Sequence, residues 1–206
     1  MGQADDPTQT IVTLDLEGVL IPEVWIAVAE RTGIEGLRRT TRDEPDYDVL
    51  MRYRLDLLAE HDLGLAAIRD VIAGLEPMEG ARAFLDALRE RTQVIILSDT
   101  FEQFADPFMA QLGRPTIMCH RLVVEGDRIT GYRLRQPDQK RHAVEALRSL
   151  NYRVIAAGDS YNDTTMLGAA DAGFLFRSPD NVIAEFPAFR PLTEYDDLLA
   201  AITERL

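Results

Sequence analysis

Cysteine is nearly absent from this sequence, which contains a single one, Cys119, among its 206 residues. A disulfide within the chain and a zinc site built on cysteine are both excluded, and this scarcity is typical of proteins of the reducing cytoplasm. The sequence also lacks an apolar run long enough to span a membrane, and residues 1–10 lack the basic start and apolar stretch of a signal peptide. We therefore expect a cytoplasmic protein with a loose N-terminal tail at 1–10.

Basic residues are in short supply as well. The chain carries 22 lysines and arginines against 35 aspartates and glutamates, which gives a formal net charge of -13. Such a surface repels nucleic acid and anionic lipid, so we expect neither nucleic acid nor membrane as a partner. Hydrophobic residues make up 46% of the chain, which is typical of a folded globular protein. The length suits one core with an inserted subdomain.

Strands and helices are expected to alternate along the chain. Short apolar runs rich in β-branched residues, each typical of a buried strand, occur at 11–16, 94–97, 116–119, 154–157 and 172–176. Segments of helical periodicity separate them. This alternation predicts an α/β fold with a doubly wound parallel sheet, in which ligands bind at the carboxyl ends of the strands.

One long stretch, 21–77, interrupts this alternation with several helical segments and no convincing strand. It predicts a helical cap inserted after the first strand, and we divide the chain into a core at 1–20 and 78–206 and a cap at 21–77. Farther along, the residues around Gly126 and Asp127 alternate in polarity on both sides of this turn dipeptide. They predict a small β-hairpin flap on the sheet.

Two clusters of polar residues follow predicted strands. Asp15 and Glu17 stand two residues apart after the first strand, and Asp159, Asn162 and Asp163 follow the fourth. Carboxylates at the end of a buried strand repel one another unless a cation lies between them, and Mg²⁺ accepts carboxylate oxygens as ligands. Each cluster alone also has an ordinary explanation, as a solvated strand end or as a loop that caps the next helix. Together they favour a magnesium site.

A phosphate group has candidate partners elsewhere in the sequence. Ser98 and Asp99 close the second strand and are expected at a helix start, where a hydroxyl and backbone amides can bind a phosphate oxygen. The alternative is an ordinary helix N-cap. Lys140, just inside the helix after the hairpin, could supply positive charge, although a single lysine is most often solvated surface.

Four segments, DLEGV, ILSDT, DQKR and GDSYND, occur in this order along the chain. They resemble the four motifs of the haloacid-dehalogenase-like phosphatase superfamily. The resemblance implies that Asp15 is a nucleophile that forms an aspartyl phosphate. It implies a Mg²⁺ site formed by Asp15, the Glu17 carbonyl and Asp159, with Asp163 in support. It further implies that the phosphoryl group is held by Ser98, Asp99, Lys140 and Asn162.

Glu17 departs from the superfamily pattern, which usually has aspartate at this position. The role that the resemblance implies is general acid toward the leaving alkoxide and then general base toward the acceptor. A side chain longer by one methylene can fill this role if the cap places it. The departure leaves room for an altered choice of acceptor.

Two residues of the predicted cap bear on the substrate. Arg54 falls on the apolar stripe of a helical segment, and Glu23 could begin the first cap helix. Arg54 could instead extend its head to solvent or to a protein carboxylate, and Glu23 could serve only the helix dipole. Their positions resemble those at which phosphoserine phosphatases carry a glutamate for the substrate ammonium and an arginine for its carboxylate. The resemblance therefore implies phosphoserine as the substrate.

Longer stretches, namely 15–34, TTRDEPDYDVLM, VIILSDTF and RVIAAGDSYNDTTML, resemble a family of bacterial bifunctional enzymes. These enzymes hydrolyse phosphoserine and also transfer its phosphoryl group to homoserine, and they share the glutamate found here at position 17. The likeness covers nearly all of the chain after the polar tail. It implies that Glu17 activates either water or the homoserine hydroxyl, with cap closure deciding which of the two enters.

Other interpretations were weighed against these motifs. A serine hydrolase is excluded because the segment 158–162 lacks the final glycine of the nucleophile elbow, and His61, His120 and His142 all precede Ser160. The histidines also lack metal-ligand spacing, so we expect surface or packing roles for them. A phosphatase for another small phosphorylated metabolite and a non-catalytic binding module stay open. The oligomeric state is open too, a homodimer included.

Overall fold

The structure, a computed structural model, describes residues 9–41, 43–44 and 46–206. This part of the chain contains seven strands and nine α-helices. The strands are β1 (Thr10–Leu14), β2 (Gln93–Phe101), β3 (Thr116–Glu125), β4 (Arg128–Arg133), β5 (Arg153–Gly158), β6 (Ala172–Phe176) and β7 (Arg190–Leu192). The helices are α1 (Val24–Thr32), α2 (Tyr47–Glu60), α3 (Leu65–Ala73), α4 (Ala81–Arg89), α5 (Glu102–Gln111), α6 (Gln139–Ser149), α7 (Thr164–Ala169), α8 (Asp180–Glu185) and α9 (Tyr195–Thr203).

Strand β1 lies at the centre of a seven-stranded sheet, whose order is β4-β3-β2-β1-β5-β6-β7. All five residues of β1 are buried, as expected of an apolar, β-branched strand in a sheet that is covered on both faces. Every strand pair is parallel except β3 with β4. The predicted doubly wound parallel sheet is confirmed. Of the predicted tail, residues 1–8 lie outside the described residues, and Thr10 already belongs to β1.

Strand β2 runs farther than predicted. It continues past Leu97 to Phe101, with a shift of register against β3 between these two residues, and α5 begins only at Glu102. Ser98 and Asp99 therefore lie in the irregular end of a strand, and the helix start expected directly after them is wrong. Strand β7 escapes prediction because a strand of three residues is too short to show alternation.

The predicted hairpin is confirmed as the antiparallel pair of β3 and β4, with Leu122 opposite Tyr132 and Glu125 opposite Arg128. In its turn, Gly126 has a φ of 65°, a left-handed conformation that glycine adopts without steric penalty. Because β3 also pairs with β2, the hairpin extends the edge of the main sheet. One strand thus leads from the core into the hairpin.

Helices α1, α2 and α3 follow β1, as predicted, and we call them the helical insertion. The described residues between Pro22 and Pro77 contain these helices and a short 3-10 helix, and no strand. Assignment of residues 21–77 to a separate cap stays a prediction. None of the helices in the described part of the chain is long and apolar enough to cross a membrane.

Among the contacts of the helical insertion with the rest of the protein are one with α5 and one with the hairpin. The Trp25 ring of α1 packs edge-on against Phe104 of α5, with 5.5 Å between the ring centroids. At the tip of the hairpin, the carbonyl of Asp127 accepts a hydrogen bond from the Leu65 N–H (2.8 Å), and its carboxylate accepts one from the Ala66 N–H (2.8 Å). Asp127 thus caps the N-terminus of α3. The hairpin and α5 together fix where the insertion sits above the sheet.

Candidate active site

The ends of the two central strands bring three carboxylates together. Strands β1 and β5 are parallel neighbours, and the Asp15 N–H continues their ladder by donating to the Ala157 carbonyl (3.0 Å). Asp15, Asp159 and Asp163 are all buried, and each offers a carboxylate oxygen within 4.8 Å of the others. The two acidic loops that the sequence places far apart therefore converge at one point.

Two glycines permit this convergence. Gly18 has a φ of 78°, and a Cβ at this position would lie 2.6 Å from Cγ of Asp159. At Gly158, a Cβ would lie 2.3 Å from Cγ of Asp163. Real Cβ atoms do not come that close to another carbon, so a side chain at either position would push a carboxylate away. The glycines of DLEGV and GDSYND are thus explained by close packing against the acidic residues.

Lys140 supplies the positive charge of this cluster. Its side chain is 2% exposed, and Nζ lies 2.9 Å from Oδ1 of Asp15 and 2.7 Å from Oδ1 of Asp163. Burial alone would lower the pKa of Lys140, but the carboxylates of Asp15, Asp163 and Asp99 outweigh it and raise that pKa well above its usual value. The lysine stays charged. The alternative of a solvated surface lysine is wrong, because the side chain is almost fully buried.

The cluster still lacks positive charge. The pKa of Asp15 is raised well above its usual value, first by burial and then by repulsion from Asp163, which the attraction of Lys140 offsets only in part. Asp163 has little capacity left to bind a cation, because both of its oxygens already accept hydrogen bonds. Oδ1 accepts one from Lys140, and Oδ2 accepts from the N–H groups of Asp159 (2.9 Å) and Ser160 (3.1 Å). A divalent cation would satisfy this charge imbalance, and hard carboxylate oxygens fit Mg²⁺. Asp15 and Asp159 are the candidate ligands, and Asp163 holds the loop and the lysine.

Glu17 turns away from the three carboxylates. Its Oε2 accepts a hydrogen bond from the Val24 N–H (3.0 Å) at the start of α1, and Thr100 bonds the same carboxylate. Burial and then the nearby Glu23 raise the pKa of Glu17 to about 7, although the Val24 N–H, Thr100 and Arg54 act in the opposite direction. The side chain lies outside the group of three acids, so the predicted metal role of Glu17 would fall to its backbone carbonyl.

Ser98, Asp99 and Asn162 form one wall next to Lys140. Ser98 is 2% exposed, and Nδ2 of Asn162 donates to Oδ2 of Asp99 (2.8 Å). Burial raises the pKa of Asp99, but Lys140, His120 and Asn162 together hold it well below its usual value. Because Asp99 stays anionic, its carboxylate would repel a phosphate. The predicted contact of Asp99 with phosphate would therefore use its backbone N–H.

Arg54 is buried at the opposite end of the pocket, with 6% of the residue exposed. Its guanidinium lies over the Trp25 ring at 4.7 Å and donates to the Arg39 carbonyl (2.8 Å), while Nε has no hydrogen-bond partner among the described residues. Burial lowers the pKa of Arg54 to about 10, against the opposing influence of Tyr47, Glu17 and Glu23. The head therefore does not reach solvent, and a charged group remains with unused hydrogen-bonding capacity.

A single pocket collects the predicted residues. Nine of the ten predicted site residues line it: Asp15, Glu17, Glu23, Arg54, Ser98, Asp99, Lys140, Asp159 and Asn162. The tenth, Asp163, lies beneath the surface of the pocket. Sequence reasoning missed Trp25, Tyr47 and Thr100, which also line it. Thr100 stands in the ILSDT segment and could have been found there. Trp25 and Tyr47 carry no local signal, because they reach the pocket from helix faces.

Beside the surface or packing roles expected for the histidines, His120 makes a polar contact that the sequence does not indicate. It is 3% exposed, and its Nε2 lies 3.3 Å from Oδ1 of Asp99, which itself lines the pocket. No motif on β3 points to this contact. The strand reaches the site only because β3 pairs with β2.

The chain is similar to known proteins in sequence and in fold. Residues 12–168 match the haloacid dehalogenase-like hydrolase family. The chain is 64% identical over 189 residues to a phosphoserine phosphatase of Pseudomonas syringae pv. tomato. The matched region covers 91% of this chain and 80% of that protein. It is 62% identical to the phosphoserine phosphatase ThrH of Pseudomonas aeruginosa, over 91% of this chain and 92% of that protein. A solved substrate-bound phosphoserine phosphatase complex shares the fold, with a TM-score of 0.79 at 20% identity, over 97% of this chain and 99% of that one.

Replacing Gly18 with alanine should push Asp159 out of place, because the added Cβ would lie 2.6 Å from its Cγ. We expect the free energy of unfolding to fall by about 2–4 kcal/mol and the affinity for Mg²⁺ to fall at least about tenfold. Chemical denaturation and a Mg²⁺ titration of the melting temperature measure the two effects.

Gly33→Ala is the matched control. Gly33 has the same left-handed backbone, with a φ of 74°, but no atom lies within 4 Å of an added Cβ. This variant should lose about 1–2 kcal/mol from backbone strain and keep its affinity for Mg²⁺. An equal loss of Mg²⁺ affinity in both variants would contradict the role assigned to Gly18.

Glu17 should make the stability of the metal-free protein depend on pH. Its pKa is about 7 in the folded protein against an ordinary 4.5, so between these values the folded state holds a proton that the unfolded chain releases. The free energy of unfolding therefore gains a contribution that is fully present below about pH 4.5 and lost as the pH rises through about 7. Glu17→Gln removes the charge and keeps an oxygen for the Val24 N–H.

The variant should match the wild type near pH 4 and exceed its free energy of unfolding by about 1–2 kcal/mol at pH 8. Denaturation in EDTA at both pH values provides the measurement. Glu30→Gln, at an exposed position of α1, serves as control and should leave the pH dependence unchanged. A Glu17→Gln protein less stable than the wild type at pH 8 would refute the assignment.

Proposed function

The chain belongs to the haloacid dehalogenase-like hydrolase family, and from this membership we propose that it is a Mg²⁺-dependent phosphoserine phosphatase that also transfers the phosphoryl group to homoserine. The observation that carries the proposal is the composition of one pocket. Asp15 and Lys140 line it together with Glu17, Arg54 and Glu23. These residues supply a nucleophile, a phosphate-binding cation, an acid–base group and a pair of opposite charges for an amino-acid headgroup.

In the first step, a carboxylate oxygen of Asp15 attacks phosphorus in line with the ester oxygen of phosphoserine. A bond forms between Asp15 and phosphorus as the bond to the serine oxygen breaks, and protonated Glu17 gives its proton to the leaving oxygen. The products are serine and an aspartyl phosphate. Lys140, at 2.9 Å from Asp15, provides positive charge where the phosphoryl group arrives.

Residues around Asp15 have complementary tasks in this step. Asp15, Asp159 and the Glu17 carbonyl would hold Mg²⁺, which when bound neutralises charge on the phosphoryl oxygens. The Ser98 hydroxyl and the Asn162 amide would donate hydrogen bonds to the same oxygens. Asp163 orients Lys140 and the loop that carries Asp159.

In the second step, the ionised Glu17 takes a proton from an acceptor hydroxyl whose oxygen attacks phosphorus and releases Asp15. Water as acceptor yields free phosphate, and homoserine yields O-phosphohomoserine. A carboxyl with a pKa of about 7 populates both protonation states near neutral pH, as a group requires that acts first as acid and then as base. This supports Glu17 in both roles.

The opposite end of the pocket supports an amino acid as substrate. Arg54 is buried and charged and has an unused donor, Nε, which suits a carboxylate, and Glu23 suits an ammonium group. Homoserine has the same headgroup as serine and a side chain longer by one methylene. The residues that recognise phosphoserine would therefore also recognise homoserine as a second substrate after serine leaves.

Incubation with phosphoserine and Mg²⁺, with and without homoserine, tests both halves of the proposal by phosphorus NMR. We expect free phosphate alone in the first mixture and free phosphate with O-phosphohomoserine in the second. Asp15→Asn should lower both rates by about a thousandfold or more, because the nucleophile is lost. Asp86→Asn, at a partly exposed position on α4, should keep wild-type rates.

The outcomes separate the two activities. Turnover that survives in Asp15→Asn would overturn the role of Asp15. Free phosphate without any phosphorylated homoserine would remove the transferase activity and leave the phosphatase.

Arg54→Met should reveal whether the arginine binds the headgroup. We expect kcat/KM for phosphoserine to fall about a hundredfold, because a buried charge pair is lost, and kcat/KM for phenyl phosphate, which has no headgroup, to change by less than about threefold. Arg52→Met, on the exposed face of the same helix, is the control and should leave both values unchanged. Equal losses with both substrates would show that Arg54 has only a structural role.

A further inference from the structure

Asp99 is a carboxylate in a pocket that we assign to phosphate, and this placement requires an explanation. Its Oδ1 lies 3.3 Å from Nε2 of His120 and 3.3 Å from Nε2 of Gln139. Its Oδ2 accepts from Nδ2 of Asn162 (2.8 Å) and lies 3.9 Å from Nζ of Lys140. The two oxygens thus have different neighbours. One faces residues behind the pocket, and the other faces two residues that line it.

The hydrogen bonds of His120 fix which nitrogen donates. Nδ1 accepts a hydrogen bond from the backbone N–H of Arg135 (3.3 Å), so Nε2 is the nitrogen that donates to Asp99. Gln139 is held in a similar way, because its Nε2 also donates to the Ser98 carbonyl (2.6 Å). Both partners of Oδ1 are buried, and each also has a hydrogen bond to the backbone. They anchor the Asp99 carboxylate from behind.

Asn162 is held at both ends of its amide. Its Nδ2 donates to Asp99, and its Oδ1 accepts from the Ser160 hydroxyl. The orientation of this side chain therefore depends on where the Asp99 carboxylate stands. A shift of a phosphate-binding donor by about 1 Å can lower a rate by up to about a hundredfold.

We propose that His120 is a positioning residue, which acts through the Asp99 carboxylate to hold the Asn162 amide at the phosphoryl-binding position. The inference rests on the proposed function, since it concerns the same phosphoryl site. It extends the site to β3, a strand that carries none of the four motif segments. The histidine itself does not line the pocket that holds Asp15.

The helical insertion contacts the same group. The Tyr47 hydroxyl donates to the Asp99 carbonyl (3.0 Å), and the Tyr47 ring packs against the His120 ring with 6.1 Å between centroids. Asp99 is therefore held by its carboxylate from β3 and by its backbone from α2. Because the backbone of Asp99 is held from α2, the freedom that remains to it lies in its side chain, which His120 and Gln139 restrain.

Two substitutions separate positioning from packing. His120→Gln places an amide N–H near the position of Nε2 and keeps the donor to Asp99. His120→Asn places an amide oxygen near Nδ1, which keeps the contact with the Arg135 N–H and loses the donor. We expect His120→Asn to lower kcat/KM for phosphoserine about 10- to 100-fold, and His120→Gln to stay within about threefold of the wild type. A packing role predicts equal effects or the reverse order, and either would overturn the proposal.

A double-mutant cycle with Asn162→Ala tests the route of the effect. If His120 acts through Asn162, His120→Asn should cost less than about twofold in the Asn162→Ala background, and additive losses would refute the route. Competitive binding of inorganic phosphate is measured in the same four proteins and should follow the same pattern. His120→Leu replaces His120→Asn in the cycle if the latter does not fold.

Cys119→Ala, a buried neighbour on the same strand, is the control and should keep wild-type turnover and phosphate affinity. A loss in this variant equal to that in His120→Asn would overturn the proposal, because any disturbance of β3 would then suffice. A wild-type protein that binds phosphate and does not hydrolyse phosphoserine would refute the proposed function alone. The phosphate cycle would still decide the role of His120.

Discussion

The buried ammonium of Lys140 is the interaction on which the rest of the site depends. Asp15 and Asp163 approach it to 2.9 and 2.7 Å, and all three residues are almost fully buried. Without this charge, three carboxylates within 4.8 Å of one another would be forced to take up protons, and a protonated Asp15 would be a poor nucleophile. One lysine cannot neutralise three acids, however. Lys140 thus brings the carboxylates together and still leaves the group with excess negative charge, which a divalent cation would neutralise.

The sheet turns this requirement into geometry. Because β1 and β5 are adjacent and parallel, their carboxyl ends place Asp15 and Asp159 side by side whatever the length of chain between them. Helix α6 begins at the same edge and inserts Lys140 between the two loops. The two loops must also pass very close to an aspartate side chain, and at the points of closest approach there is no room for a Cβ atom. Gly18 and Gly158 occupy these points.

The parts of the site that could be predicted from the sequence are those encoded over short distances. Asp15 and Glu17 stand in one segment, Asp159 and Asp163 in another, and a parallel sheet is enough to predict that such segments meet. The hydrogen bond of Tyr47 to Asp99 spans 52 residues, and His120 comes from a strand without a motif, so no local pattern indicates either. The orientation of the Glu17 side chain could not be predicted either. It depends on a hydrogen bond from a backbone N–H of α1, and the pattern of residue types does not indicate such a bond.

The orientation of the Glu17 side chain links the proposed chemistry to the position of the helical insertion. The carboxylate of Glu17, for which we propose the acid–base role, is held by the Val24 N–H of the helical insertion, whereas Asp15 directly follows β1 of the sheet. The insertion in turn is fixed by Asp127 at the hairpin tip and by Phe104 of α5. A small change in the position of the insertion would therefore move the proposed proton donor, Glu17, relative to the proposed nucleophile, Asp15. In the proposed two-step reaction, the first step needs the protonated Glu17 above the leaving oxygen, and the second needs its carboxylate above an acceptor of different size. The choice between water and a larger hydroxyl compound as acceptor would then depend on the contacts between the insertion and the rest of the protein. These contacts lie at a distance from the phosphorus atom.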